Sequence, residues 1–255
     1  MDQPPLRTVF SDLSGVCRGC LLFVRIAQMD SKPELRLLCG PPGSGKTTIE
    51  EAVAARLELS SNKRWIYFDN EWHFTRKMRV RCAQQSKIAL DTPEYTEAFG
   101  LLGREGYQEL LVHLARQRLN ILATAPFEDL TYESGGQPRY RELVDSVFAA
   151  FEFKLVYILL WPASMPVLNS QSVLTDPSMD EIESIVHARL FNRSVNDTAQ
   201  RMLDMPKLRM PNYYRQRASL VLKSVEQFGL PLVKIYPEEA MESIVERVTR
   251  ALSAP

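Results

Sequence analysis

The stretch Gly40-Pro41-Pro42-Gly43-Ser44-Gly45-Lys46-Thr47 constrains this chain more than any other. It fits the phosphate-binding pattern G-x-x-x-x-G-K-[ST], and its flanks fit as well. The apolar run Leu35–Cys39 precedes it and reads as a short buried strand. Residues from Thr48 to Leu57 follow and read as a helix, with Ile49, Val53, Ala54 and Leu57 at helical spacing. The physics needs this order. Glycines let the backbone curl until its N–H groups converge on an anion, and a helix N-terminus adds partial positive charge. Gly40, Pro41, Pro42, Gly43, Ser44, Gly45, Lys46, Thr47 and Thr48 are therefore the expected phosphate cradle. Lys46 is placed to reach β- and γ-phosphates, and the Thr47 hydroxyl to ligate Mg²⁺.

A chain of 255 residues suits one large α/β domain or two small ones. Lys plus Arg number 31 and Asp plus Glu number 31, so global charge makes no case for nucleic acid or an acidic membrane as partner. The longest apolar run, Leu155–Trp161, suits a buried strand and is too short for a membrane span. With no signal pattern at the N-terminus, a cytoplasmic protein is expected. Cys17 and Cys20 form a lone C-x-x-C, and Cys39 and Cys82 are not spaced as its other half. Residues 1–33 are expected to be a peripheral extension, with Met29 a possible natural start, and 34–255 the main domain.

Apolar runs alternate with helical stretches. Strands are expected at Leu35–Cys39, Trp65–Phe68, Asn120–Ala125, Lys154–Leu160 and Leu232–Ile235. Helices are expected at Tyr107–Arg118, Arg139–Ala150, Asp180–Phe191, Tyr213–Phe228 and Glu238–Leu252. This alternation predicts an α/β fold with a parallel sheet covered on both faces. A lid with accessory helices is expected at about 180–228.

The third and fourth strand runs end without Asp or Glu, which argues against motor ATPases and signalling GTPases. A carboxylate comes instead after the second strand, in Phe68-Asp69-Asn70-Glu71. Ligands bind at the carboxyl ends of parallel strands, so Asp69 is the candidate to take a substrate proton or to order Mg²⁺ and its water. Glu71 stands behind it. Glu128 and Asp129 follow the third strand, as substrate or metal contacts or, for Asp129, as a turn residue or cap. Arg189, Arg193 and Arg201 fall near one face if a single helix carries them, with Asp197 between. Arginines over a transferring phosphoryl group are the expected electrostatic complement, which makes Arg189 and Arg193 catalytic candidates beside Lys46 and Asp69. A solvated, salt-bridged face is the alternative. Tyr213, Tyr214, Arg215 and Arg217 form an aromatic–basic cluster that either docks on nucleotide or packs. Trp72, His73, Phe74, Arg76, Lys77, Arg79 and Arg81 are candidates for an acceptor pocket within 71–118, or else an amphipathic helix with a basic face.

Together the phosphate loop, Asp69, a third strand ending in Ala125-Pro126-Phe127 and the spacing Arg189, Arg193, Asp197 resemble the small-molecule kinase branch of P-loop proteins. The nearest groups are the zeta-toxin-like and gluconate-kinase-like kinases. The resemblance spans about residues 34–252. It implies a five-stranded parallel sheet in order 2-3-1-4-5, ATP as donor with Mg²⁺, an acceptor site between the second and third strands, and a mobile lid. It also implies an adenine pocket built from the loop Tyr236-Pro237-Glu238 and the lid. After Asp69 the chain runs Asn-Glu-Trp-His-Phe and departs from the zeta-toxin pattern. The function implied is transfer of the γ-phosphate to a hydroxyl of a small molecule such as a sugar, nucleoside or antibiotic. The alternatives are a nucleotide-sugar or protein-directed toxin kinase, and an ATP-binding regulatory protein without catalysis.

Overall fold

The computed structural model describes residues 32–61, 63, 65–69, 108–125, 127–134, 137–164, 169–195 and 198–254. The chain divides into Met1–Lys32, of which Lys32 alone is among the described residues, and Pro33–Pro255.

Among the described residues of the second unit, five parallel strands make one sheet: β1 (Glu34–Cys39), β2 (Trp65–Asp69), β3 (Asn120–Ala125), β6 (Glu152–Leu160) and β7 (Leu232–Ile235). They lie in the order β2-β3-β1-β6-β7. Counted along the chain without the intervening hairpin, this is 2-3-1-4-5, as the resemblance implies. All six residues of β1 are buried, because it is the central strand with both faces covered. That explains its nearly unbroken apolar run. Its two polar members, Glu34 and Arg36, pair with each other, and the Arg36 guanidinium lies 5.8 Å from the Trp65 ring centroid. At the edge, β7 alternates between half-buried and buried residues.

β1 pairs with β3 on one side and β6 on the other. The sheet order therefore reverses beside β1. In an open parallel sheet the crevice at this point, outside the carboxyl ends of the strands, is where ligands bind. The loop that leaves Cys39 opens into it.

Helix α1 (Lys46–Ser61) buries Ile49, Val53, Ala54 and Leu57, the spacing expected of it. Residues 108–116 are helical. β3 is followed by a small antiparallel hairpin, β4 (Glu133–Ser134) with β5 (Gln137–Pro138), which periodicity did not reveal because each strand has two residues. The single helix expected over Arg139–Ala150 is instead α2 (Arg139–Ser146) and a tighter turn at Phe148–Ala150. There Ala150 N–H donates to Val147 and Phe151 N–H to Phe148, three residues back, which turns Phe148 into the core.

The span expected to hold a lid contains α3 (Met179–Val195), α4 (Thr198–Leu208) and α5 (Tyr213–Phe228). α3 begins at a turn in which Asp176 accepts from the Ser178 N–H and hydroxyl. Met179, Ile182, Val186 and Leu190 on α3 belong to the core. α5 ends at Gly229 in the left-handed conformation (φ 62°), a helix stop that glycine reaches without steric cost. It is tied to the sheet through Tyr214, whose hydroxyl accepts from Leu160 N–H at 2.6 Å and donates to Leu160 O at 3.0 Å. The last helix, α6 (Met241–Ser253), starts three residues later than the expected Glu238, because Tyr236–Glu239 closes a turn first.

Candidate nucleotide site

Two glycines make the loop possible. Gly40 has φ 140°, and a Cβ there would lie 2.2 Å from the Ile158 carbonyl oxygen, so the chain passes hard against β6. Gly43 has φ 84°, and a Cβ there would meet Val186 Cγ1 at 2.8 Å. The same glycine thus serves two needs, a left-handed turn and the close approach of α3. The Lys46 ammonium donates to Gly40 O at 2.7 Å and Pro41 O at 2.8 Å, folding over the loop that carries it. Thr47 and Thr48 stand exposed on the first turn of α1.

These residues floor a cavity of about 460 Å³, within the range of small-ligand sites. All the proposed cradle residues except Pro41 line it. Four further elements supply its walls. Thr124, Ala125 and Glu128 come from the end of β3 and beyond, Arg189, Leu190 and Arg193 from α3, and Ile235, Met241 and Ile244 from β7 and α6.

Arg189 donates through Nη1 to Gly43 O at 2.9 Å. Arg193 is gripped by Asp204, with Nε and Nη2 each 2.6 Å from a carboxylate oxygen. The condition that one helix carry all three arginines is not met, so Arg201 does not share their face. α3 stops at Val195, and Arg201 lies on α4, where it donates to the Ser194 and Val195 carbonyls. It satisfies the end of α3, a common task for a cation at a helix C-terminus. Asp197 lies outside the described residues.

Asp69 closes β2, and its Cα pairs in register with Thr124 of the cavity wall. Its side chain lies outside the described residues, as do Glu71 and the aromatic–basic segment Trp72, His73, Phe74, Arg76, Lys77, Arg79 and Arg81. Glu128 sits in the wall with a nearly buried side chain, 3.2 Å from the Arg217 guanidinium. Asp129 is a turn residue: its Oδ1 accepts from Thr131 N–H, Thr131 hydroxyl and Tyr132 N–H.

Of the alternatives for the second cluster, packing holds. Tyr213, Tyr214 and Arg215 are buried, and Arg215 pairs with Asp180 while its N–H donates to Glu183. Arg217 reaches Glu128 instead. At the other end, next to the loop Tyr236-Pro237-Glu238 that the resemblance implies for an adenine pocket with the lid, Ile235, Met241 and Ile244 provide an apolar wall. The i, i+3 spacing of Met241 and Ile244 was the available signal, but it reads as core until the cavity is seen. Cys39 is buried beneath the loop, and burial pushes its thiol far up, so it is no nucleophile at neutral pH.

The donor set fits a magnesium-bound nucleoside triphosphate. Cations from Lys46, Arg189 and Arg193 suit phosphate, and the Thr47 hydroxyl with a carboxylate suits Mg²⁺. Among the described residues, no three of His, Cys, Asp and Glu gather as a metal cluster. Magnesium is compatible with that, since it keeps several waters and is held by one or two protein groups plus phosphate oxygens. No helix among the described residues is long and apolar enough to cross a membrane.

Sheet order, strand–loop–helix geometry and the cavity together define a parallel α/β fold with a phosphate-loop pattern at the carboxyl edge of its sheet. Comparison with known proteins adds the following. No family model matches the chain. Genome polyproteins of Feline calicivirus share 42% identity over 55 residues, which is 22% of this chain and 3% of the polyprotein. Among solved structures, a protein of Chloroflexus aurantiacus assigned as a kinase is 14% identical with a TM-score of 0.46, over 88% of this chain and 98% of that one. The gluconokinase of Sinorhizobium meliloti is 12% identical with a TM-score of 0.42, over 87% and 92%. The shikimate kinase of Acinetobacter baumannii is 14% identical with a TM-score of 0.40, over 88% and 94%. These values describe a distant likeness, and the chemistry below is argued from this chain's own residues.

Proposed function

We propose that this chain is a cytoplasmic Mg·ATP-dependent kinase that moves the γ-phosphoryl group to a hydroxyl of a small molecule. The observation that carries the reading is the meeting, in one cavity, of Lys46 and its loop, Arg189 and Arg193 of α3, and the Glu128 carboxylate. Phosphoryl transfer asks little covalent work of a protein. It asks for positioning, cations around the γ-phosphate and a carboxylate for the acceptor proton. In the reaction the acceptor oxygen bonds to the γ-phosphorus and the bond to the bridging β–γ oxygen breaks. The proton passes to a carboxylate and ADP leaves. Asp69 is our first candidate for that carboxylate and a metal contact, on its position at the end of β2 beside Thr124. Glu128 is the second. Thr47 would hold Mg²⁺, which supplies charge neutralisation across the β- and γ-oxygens. The apolar end at Ile235, Met241 and Ile244 suits a nucleobase.

An acceptor screen tests this. Purified protein is incubated with Mg·ATP and sugars, nucleosides or hydroxylated antibiotics, and products are read by mass spectrometry. A gain of one phosphate, lost in Lys46→Ala, is the expected result. Tight ATP binding without turnover under any acceptor would point instead to a nucleotide-gated regulatory protein. Phosphate on a nucleotide sugar or a protein would move the acceptor to the toxin-like class.

A further inference from the structure

Glu239 lies in the connection between β7 and α6, and its side chain is only 12% exposed. One carboxylate oxygen accepts from the Ser243 hydroxyl at 2.8 Å. The other accepts from Arg247 Nη2 and, at 3.4 Å, from the Tyr236 N–H. The same Arg247 nitrogen donates to the Lys234 carbonyl of β7 at 2.7 Å. The Glu239 N–H donates to Tyr236 O at 3.1 Å, which closes the turn. We propose that Glu239 and Arg247 are positioning residues that hold the β7–α6 connection in the shape that receives the nucleoside part of the nucleotide. The proposal rests on the nucleotide reading above.

Three features favour this over a mere anchor for the last helix. First, the tied span runs from Lys234 to Arg247, and it contains Ile235, Met241 and Ile244, the apolar wall of the cavity. Second, α6 starts after Ala240 with no side-chain cap. A carboxylate beside a helix start ordinarily serves the first N–H groups of that helix. Glu239 answers instead to the turn, to the Ser243 hydroxyl and to an arginine further along α6, so it shapes the connection. Third, Met241 lines the cavity while 41% exposed. A large apolar side chain left in water gains by being covered, and a thioether packs well on an aromatic ring. A flat base laid on it supplies both. A wall already fixed in place loses little further freedom when the base arrives, which is what the Glu239–Arg247 tie contributes.

The test is the preference for ADP over pyrophosphate, measured by titration calorimetry at one Mg²⁺ concentration. The two probes share their phosphates, so the ratio of their affinities reports the nucleoside end alone. It uses wild type, Glu239→Ala, Arg247→Ala, the double variant and Met241→Ala, with melting temperatures alongside. Glu239→Ala and Arg247→Ala should each lower the ratio about threefold or more, the scale of an ordinary hydrogen bond, with pyrophosphate affinity unchanged. The double variant should be no worse than the poorer single one, and Met241→Ala should lower the ratio as well. A helix anchor would instead lower the melting temperature and leave the ratio intact, which overturns the proposal. So does a ratio that Met241→Ala does not move, or an equal loss of both ligands in the Glu239 and Arg247 variants. If Glu239→Ala does not fold, Glu239→Gln keeps an acceptor for Ser243 and Tyr236 and removes the ion pair. A lowered ratio in that variant supports the proposal, and an unchanged one overturns it. Wild type that binds neither probe would sink the nucleotide reading itself, whereas wild type that binds pyrophosphate as tightly as ADP sinks this proposal alone.

Discussion

Arg189 of α3 donates to the Gly43 carbonyl of the phosphate loop at 2.9 Å, and one helical turn earlier Val186 packs on the same glycine. The helix expected as a lid is therefore in direct contact with the loop it would cover, and its apolar stripe is part of the core.

That contact separates two glycines that look alike in sequence. Gly43→Ala adds a Cβ 2.8 Å from Val186 Cγ1 at a φ of 84°. Gly45→Ala meets nothing within 4 Å and carries only the strain of its φ of 93°. We expect Gly45→Ala to cost about 1 kcal/mol and Gly43→Ala about 2 kcal/mol or more. Urea denaturation checks the order, and Val186→Ala should recover part of the Gly43→Ala loss while doing nothing for Gly45→Ala.

The two carboxylates at the sheet's carboxyl edge can be ranked by charge removal. Asp69→Asn should lower kcat about 10²-fold or more with ATP affinity within a small factor. Glu128→Gln should lower it less, because part of that carboxylate's charge already answers Arg217. Steady-state kinetics with the acceptor found by screening decides. An unchanged kcat in Asp69→Asn with a large fall in Glu128→Gln would transfer the proton-accepting role to Glu128.

Tyr214 has a structural task at the end of β6. Its hydroxyl serves both the N–H and the carbonyl of Leu160, and both residues are fully buried. Tyr214→Phe leaves two buried backbone groups short of a partner and should destabilise the fold by about 1–3 kcal/mol. Burial also raises the phenol, so the group stays protonated and adds no pH dependence near neutrality. Equilibrium unfolding at pH 6 and 8 should give the same difference between variant and wild type.

Acid should loosen the start of α3. The Ser178 hydroxyl, then its N–H, holds the Asp176 carboxyl below its ordinary 3.8. A carboxylate with a depressed folded value stabilises the fold fully above the unfolded value, and the contribution is lost as pH falls through the folded one. The melting-temperature gap between wild type and Asp176→Ala should therefore be constant from pH 5 to 7 and shrink below about pH 4. A gap that widens in acid would contradict the assignment.

The sequence by itself determined the sheet, the loop and most helices. β3, β7 and α5 have the limits that their apolar patterns predicted, because strand and helix periodicities are local and a buried face records itself in consecutive residues. The phosphate loop was equally legible, since its glycines answer to backbone angles set within a few residues. Tertiary structure decided which charged group meets which. Arg193 and Arg201 looked equivalent by spacing, yet one is held by Asp204 beside the cavity and the other closes the end of α3. Glu128 entered the cavity wall while its neighbour Asp129 closed a turn, and Ile235, Met241 and Ile244 became a cavity wall although their pattern reads as core. Such choices depend on the reach of side chains across packed elements distant in sequence. No local period encodes that distance, so they appear only once the sheet and its helices have come together.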